Sequence, residues 1–220
     1  MTPAAEPAVA EAVGFVLAGG ESSRMGSDKA LTQFCGEPLI GHALGILRGA
    51  GLPASIAGAR SALASYAPVV EDAGGGPLSG ICAALAATSA QLAVFLSIDM
   101  PLLPSSLIAA LTEHARLTGA TVTSASVHGF AETFPVVVER ALLSAIEAER
   151  GTGNRGCFSA LRAAAARLAR HAAVLPVENL VQAGHVDDPR GLPPAYWFLN
   201  VNTLDDLARS ESVVAGHRVS

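Results

Sequence analysis

The sequence predicts an α/β protein, a doubly wound and mostly parallel sheet with helices on both faces. Three observations carry that expectation. Short apolar runs without alternation, such as Gly14 to Ala18 and Leu92 to Ile98, suit strands buried on both faces. Segments with apolar residues at helical spacing separate these runs through most of the chain, and no internal repeat is present. Glycine-rich or acidic turns follow several runs, which puts polar groups beyond the carboxyl ends of strands, where open α/β sheets take ligands.

Met1 to Glu11 is rich in Ala, Pro and Glu and has neither a basic segment nor an apolar block. Residues 1–12 are therefore expected to be a disordered tail and not a signal peptide. Residues 13–220 are expected to form a single domain with a substantial core. Gly14 to Ala18 reads as the first strand. After a long glycine loop, Pro38 opens a helix with Leu39, Ile40, Ala43, Leu44 and Leu47 on one face. Ala54 to Ala57 and Val69-Val70 read as strands, the latter followed by Glu71-Asp72 and Gly74-Gly75-Gly76. Ile81 to Ala87 reads as a buried helix and Leu92 to Ile98 as a strand that runs into Asp99.

A helix from about Pro104 to Leu117 follows, with Leu107, Ile108, Leu111 and Ala115 as its stripe. Thr121 to Val127 and Phe134 to Val138 lie close enough in sequence for one antiparallel pairing. Ala141 to Glu149 is a further helix, broken by Gly151 to Gly156, and an Ala/Arg helix runs from about Phe158 to Arg170. Val174 to Val177 and Tyr196 to Val201 read as late strands. Between them, Gly184 to Ala195 has a length and a Gly/Pro/Asp content typical of a functional or mobile loop. The last helix starts at Thr203, with Asp205 and Asp206 in its first turn as capping and the helix dipole favour.

Composition narrows the function classes. Half of the residues are hydrophobic and 15% are charged, so the chain folds. No apolar run approaches a membrane span, and a soluble protein without membrane contact is expected. Cys35, Cys82 and Cys157 are widely spaced and form no C-x-x-C pair, which argues against a disulfide framework or zinc site and for a reducing cytoplasm. The net charge of −5 argues against a broad nucleic-acid surface. The six histidines show no ligand spacing and are assigned no chemistry.

Positive charge is instead concentrated in the first loop, Leu17-Ala18-Gly19-Gly20-Glu21-Ser22-Ser23-Arg24-Met25-Gly26-Ser27-Asp28-Lys29. Gly19 and Gly20 carry no Cβ, so backbone N–H groups can approach phosphate oxygens, while Arg24 and Lys29 supply a forked and a point charge. A bland glycine turn with two solvated cations would not need all these parts together. Neither the P-loop nor the dinucleotide fingerprint fits, because Gly26 is followed by Ser27-Asp28 and the glycines fall at 19, 20 and 26.

The loop resembles the signature of nucleotidyltransferases, and in its closest form that of molybdenum cofactor guanylyltransferases. Ile98-Asp99-Met100-Pro101 is similar to that family's metal-binding Asp-x-Pro motif, Asn200-Val201-Asn202-Thr203 to its Asn-x-Asn-Thr signature, and Asp72 with Gly76-Pro77-Leu78-Ser79-Gly80 to its Asp…Gly-Pro-Leu-Ala-Gly segment. The resemblance runs from Val13 to about Ala208. It implies a Rossmann-like nucleotidyltransferase fold and Mg2+-dependent transfer of GMP from GTP to molybdopterin. The candidate nucleotide-binding residues are Leu17, Ala18, Gly19, Gly20, Lys29, Asp72 and Asp99, with GTP's base toward Gly19 and Asp72. Arg24, Lys29 and Asp99 are the candidate catalytic residues. A carboxylate at the phosphate edge requires a hard cation between itself and phosphate, so Asp99 is also the candidate Mg2+ ligand.

Asn200 and Asn202 are assigned to the acceptor and metal side without deciding which does which. Alternatively, Asn202 or Thr203 serves only as a helix cap. Arg155 reads equally as a group reaching the acceptor's phosphate or as the start of a helix. Beyond GTP and molybdopterin, the resemblance implies as partner a molybdoenzyme that takes up the product, or its chaperone. One departure is Ala57-Gly58-Ala59-Arg60, where the family reads Ser-Ala-Asn-Arg, so an amide that helps to hold the nucleotide is missing at 59. Two other functions stay open at this point. One is a sibling transferase using CTP or another phosphorylated acceptor, and the other is a binding protein that delivers cofactor without catalysis.

Overall fold

The computed structural model describes residues 10–19, 28–58, 61–151 and 156–217. Within them the chain runs through β1 (Ala12–Leu17), β2 (Gln33–Phe34), β3 (Glu37–Pro38), α1 (Leu39–Gly49), β4 (Ala54–Ala57), β5 (Val69–Val70), α2 (Pro77–Ala87), β6 (Leu92–Ser97) and α3 (Ser105–Thr118). It continues through β7 (Val122–Val127), β8 (Phe130–Glu139), α4 (Leu143–Gly151), α5 (Cys157–Arg167), β9 (Ala172–Pro176), α6 (Val177–Gln182), α7 (Pro194–Trp197) and α8 (Leu204–Gly216).

Seven strands form one sheet in the order β5-β4-β1-β6-β8-β7-β9, while β2 and β3 make a separate hairpin. Neighbours are parallel except at β8, which is antiparallel to both β6 and β7. This is the mostly parallel, doubly wound sheet that the alternating runs predict. The chain builds outward from β1 through β4 and β5, then returns through α2 to lay β6 on the other side of β1. Its winding therefore reverses between β1 and β6, the place where such sheets open a crevice. Leu17 and Ser97, the last residues of these two strands, are register partners at that edge.

The core follows from the apolar runs. Phe15 and Phe95, also register partners, stack with ring centroids 5.7 Å apart. Helix α1 buries its expected stripe and lies close against β1: a Cβ at Gly14 would come within 2.8 Å of a Leu47 methyl carbon. Helix α3 buries Leu107, Ile108, Leu111 and Ala115 as its spacing requires. Thr203 caps α8 through a capping box with Asp206.

Several local expectations change. Strand β1 begins already at Ala12, because Ala12 and Leu92 continue its pairing with β6. Tyr196 to Val201 is not a strand. Pro193 and Pro194 start the short helix α7, and Trp197 turns inward with its indole N–H donating to the Leu192 carbonyl at 2.7 Å. The apolar residues there face the core from a helical turn, not from a ladder. The hairpin β2-β3 and helix α6 carry too little periodicity to be read from sequence. The 184–195 segment is tied to the body: Arg190 forks onto the buried Asp188 carboxylate and donates to the Leu102 carbonyl, while Val186 and Leu192 are buried. Among the described residues no helix is long and apolar enough to cross a membrane.

Candidate active site

The ends of β1 and β6 frame a cleft of about 70 Å³, lined among others by Leu17, Gly19, Asp72, Gly80, Ser97 and Phe134. Each lining residue arrives for a local reason. Beyond Leu17 the chain leaves the sheet, with the Ala18 amide still bonded to the Ala57 carbonyl, so Gly19 enters the cleft at its rim. Gly58, with φ +145, backs that turn: a Cβ there would lie 2.8 Å from the Gly19 nitrogen. Asp72 follows β5, and its Oδ1 accepts the Gly74 amide at 3.1 Å in a tight turn. Its Oδ2 faces the cleft, 3.5 Å from where a Cβ of Gly80 would stand and 4.0 Å from one on Gly19. Phe134 arrives by a bulge. The β7–β8 register passes from Ser124↔Val136 to Ser126↔Ala131, which pushes residues 132–135 out of the ladder.

Beside the cleft, three side chains from distant parts of the chain meet. Lys29 stands on a single 3-10 turn, in which the Asp28 carboxylate accepts the Ala30 amide at 3.0 Å and the Asp28 carbonyl that of Leu31 at 2.9 Å. Its Nζ is 3.1 Å from Asp99 Oδ2 and donates to Asn202 Oδ1 at 2.7 Å. Asp99 lies two residues beyond β6, and Ser97 Oγ donates to its Oδ1 at 2.5 Å. The Asp99 carbonyl accepts the Val201 amide at 2.9 Å, so the turn that carries Asn202 is fastened to the metal-candidate residue itself. Asp206 Oδ2 then accepts the amides of Asn202 and Thr203 and the Thr203 hydroxyl. The Thr203 hydroxyl and the Asn202 amide, in that order, hold the Asp206 carboxyl below its ordinary range.

The structure thus brings Leu17, Gly19 and Asp72 to one cleft and Lys29, Asp99 and Asn202 to one contact, with Ser97 belonging to both; Ala18 is buried and does not line the cleft. Asn200 is exposed, and among the described residues its side chain shows no hydrogen bond. Gly20, Arg24, Ala59 and Arg155 lie outside the described residues. Sequence reasoning passed over Ser97, Gly58 and Phe134. For Ser97 a signal existed: a hydroxyl two residues before Asp99, at the end of an apolar strand, points to the same side of that strand. Burial pushes the Cys157 thiol up to about 12 and raises that of Cys82, so neither thiol is set up as a nucleophile.

Asp99 Oδ2 and Asn202 Oδ1 aim at one cation, whose place the Lys29 ammonium takes. One anionic and one neutral oxygen, without sulfur or imidazole, suit a hard ion such as Mg2+. Among the described residues no group of three or more His, Cys, Asp or Glu could hold a metal. An ion here would therefore complete its shell with phosphate oxygens and water.

Residues 14–174 match the family model of the MobA-like NTP transferase domain. A molybdenum cofactor guanylyltransferase of Rhizobium johnstonii is 32% identical over 208 residues, which covers 90% of this chain and 90% of that protein. Another of that name, from Xanthomonas euvesicatoria pv. vesicatoria, is 43% identical over 100 residues, 44% of this chain. There the chain spans about half the length of its relative, 52%. Among solved structures, the molybdopterin-guanine dinucleotide biosynthesis protein A of Archaeoglobus fulgidus superposes with a TM-score of 0.72 at 24% identity, covering 92% of this chain and 98% of that one. Likeness at that identity speaks for the fold alone. Because the family model takes in the chain from within β1 to within β9, and the Rhizobium relative is matched over 90% of its length, the chain belongs to the MobA-like NTP transferase family.

Proposed function

We propose that the protein catalyses Mg2+-dependent transfer of GMP from GTP to the terminal phosphate of molybdenum-bearing molybdopterin, giving molybdopterin guanine dinucleotide and pyrophosphate. The observation that carries this is the meeting of Lys29, Asp99 and Asn202 beside a cleft that holds Gly19 and Asp72. Relatives named molybdenum cofactor guanylyltransferase support the same chemistry.

An oxygen of the acceptor phosphate attacks the α-phosphorus in line. The new P–O bond forms as the bond to pyrophosphate breaks, and that bond's electron pair leaves with pyrophosphate. The attacking oxygen is already anionic, so no general base is needed. Such transfers ask the protein mainly for positioning and charge. Lys29, together with Arg24, offsets the charge that grows on the leaving pyrophosphate. Asp99 and Asn202 would hold Mg2+, which when bound draws charge from the α-phosphate. Asp72 Oδ2 suits the N1–H and N2 donors of guanine, and Gly19 leaves room for a purine against the backbone. Arg155 and Asn200 are assigned to the acceptor side. Cys35, Cys82 and Cys157, widely spaced and without a C-x-x-C pair, accord with a cytoplasmic site of action.

The test is incubation of the purified protein with molybdenum-loaded molybdopterin, Mg2+ and either GTP or CTP, with mass detection of product and assay of pyrophosphate. The guanine dinucleotide with equimolar pyrophosphate is expected. The cytosine dinucleotide would reassign the base, and cofactor bound without pyrophosphate release would make the protein a carrier.

A further inference from the structure

Ser97 lies where the two halves of the site join. Its backbone is the register partner of Leu17, its side chain lines the cleft beside Gly19 and Asp72, and its hydroxyl donates to Asp99 Oδ1. The two oxygens of Asp99 therefore have different partners: a neutral hydroxyl on Oδ1 and the Lys29 ammonium on Oδ2. A carboxylate turns easily about its terminal torsion, whose energy wells are broad. A donor rooted in the end of a buried strand stops that rotation. It leaves Oδ2 as the oxygen presented to the point shared with Asn202 Oδ1. A hydroxyl does this without adding a second positive charge to that of Lys29, as Lys or Arg at the same position would.

We propose that Ser97 is a positioning residue whose hydroxyl orients the Asp99 carboxylate so that Oδ2 meets the divalent cation, a role that rests on the metal-dependent chemistry proposed above. The backbone complements it, since the Asp99 carbonyl fixes Val201 and so brings the second oxygen, that of Asn202, to the same point. One residue at the end of β6 thus links the nucleotide cleft to the cation.

The test measures GTP affinity by calorimetry with Mn2+ and with EDTA; the ratio of the two reports the cation's contribution apart from turnover. In S97A that ratio should fall about tenfold, the share of one hydrogen bond to a charged group. The EDTA affinity is the reference for each variant, so any contact of the Ser97 side chain with the nucleotide itself divides out of the ratio. S97T keeps the hydroxyl and should restore the ratio. S97C, with a weak donor of similar size, should follow S97A and serves in its place should S97A fail to fold in thermal melts. An S97A ratio equal to that of the unaltered protein, or S97T as impaired as S97A, overturns the proposal. D99N separates two failures. If D99N lowers the ratio and S97A does not, the positioning role alone falls. If D99N leaves the ratio unchanged, or the unaltered protein shows no Mn2+ enhancement, the cation reading of Asp99 falls and the role of Ser97 with it.

Discussion

Lys29 and Asn202 stand 173 positions apart, yet the lysine ammonium donates to the asparagine Oδ1 at 2.7 Å. That contact, with Asp99 as third member, ties the first loop to the entrance of the last helix across the sheet's switch point. The ammonium stands between the two oxygens proposed to hold the cation, so a bound cation would free Lys29 to turn toward the phosphates.

Lys29→Ala should therefore cut kcat/KM by about two orders of magnitude, roughly 3 kcal/mol, with an unchanged circular dichroism spectrum. Arg24→Ala, in the same glycine-rich loop, is expected to do the same. Near-normal turnover in either variant would end its role as a phosphate clamp.

The two asparagines should part company. Asn202→Ala removes an oxygen from the cation point and should raise the Mg2+ concentration for half-maximal turnover by about tenfold. Asn200→Ala should leave that concentration unchanged, because its exposed side chain takes no part in the Lys29–Asp99 contact. Titration of Mg2+ in both variants decides it, and equal shifts would show that both asparagines serve the metal.

Gly19→Ala probes the base. Among the described residues the nearest atom to a Cβ there is Asp72 Oδ2 at 4.0 Å, an ordinary contact. GTP should bind at least about tenfold tighter than CTP in the unaltered protein, about 1.4 kcal/mol, and Gly19→Ala should lose GTP more than CTP. Calorimetry with both nucleotides checks this, and equal affinities would remove the guanine assignment.

The Asp206 carboxyl, held below its ordinary range chiefly by the Thr203 hydroxyl, makes the hold on Asn202 sensitive to acid. A group with a depressed folded-state pKa contributes stability that is present above its unfolded pKa and is lost as pH falls through the folded one. Asp206→Asn should lower Tm at neutral pH, and the gap should close below the ordinary Asp value of roughly 3.9. A gap that stays constant into that range would show that the charge is not its source. Thr203→Ala should cost about 1 kcal/mol as a lost helix cap.

Much of this was legible in the residues. Apolar runs without alternation showed which strands lie inside, and helical spacing gave the faces of α1 and α3, because burial is paid for locally in each element's own periodicity. Lys29 stood out because a turn that wraps an anion needs glycine and positive charge within a few residues of one another, and Asp72 and Asp99 because each is an acid at the end of an apolar run in a segment that resembles a family motif. Tyr196 to Val201 misled because a single helical turn around Trp197 shows the same apolar residues as a short strand.

The sequence by itself determined the alternation of strands and helices, the glycine loop and the acidic turn ends, all set by interactions within about a dozen residues. Tertiary structure alone decided that β8 is inserted between β6 and β7 and so runs against β6 as well, that Asn202 and not Asn200 meets Lys29, and that Ser97 braces Asp99. Each depends on where a crossover returns the chain and on which side of a strand end a side chain emerges. Those are settled by packing the helices onto the sheet, and no local pattern encodes them.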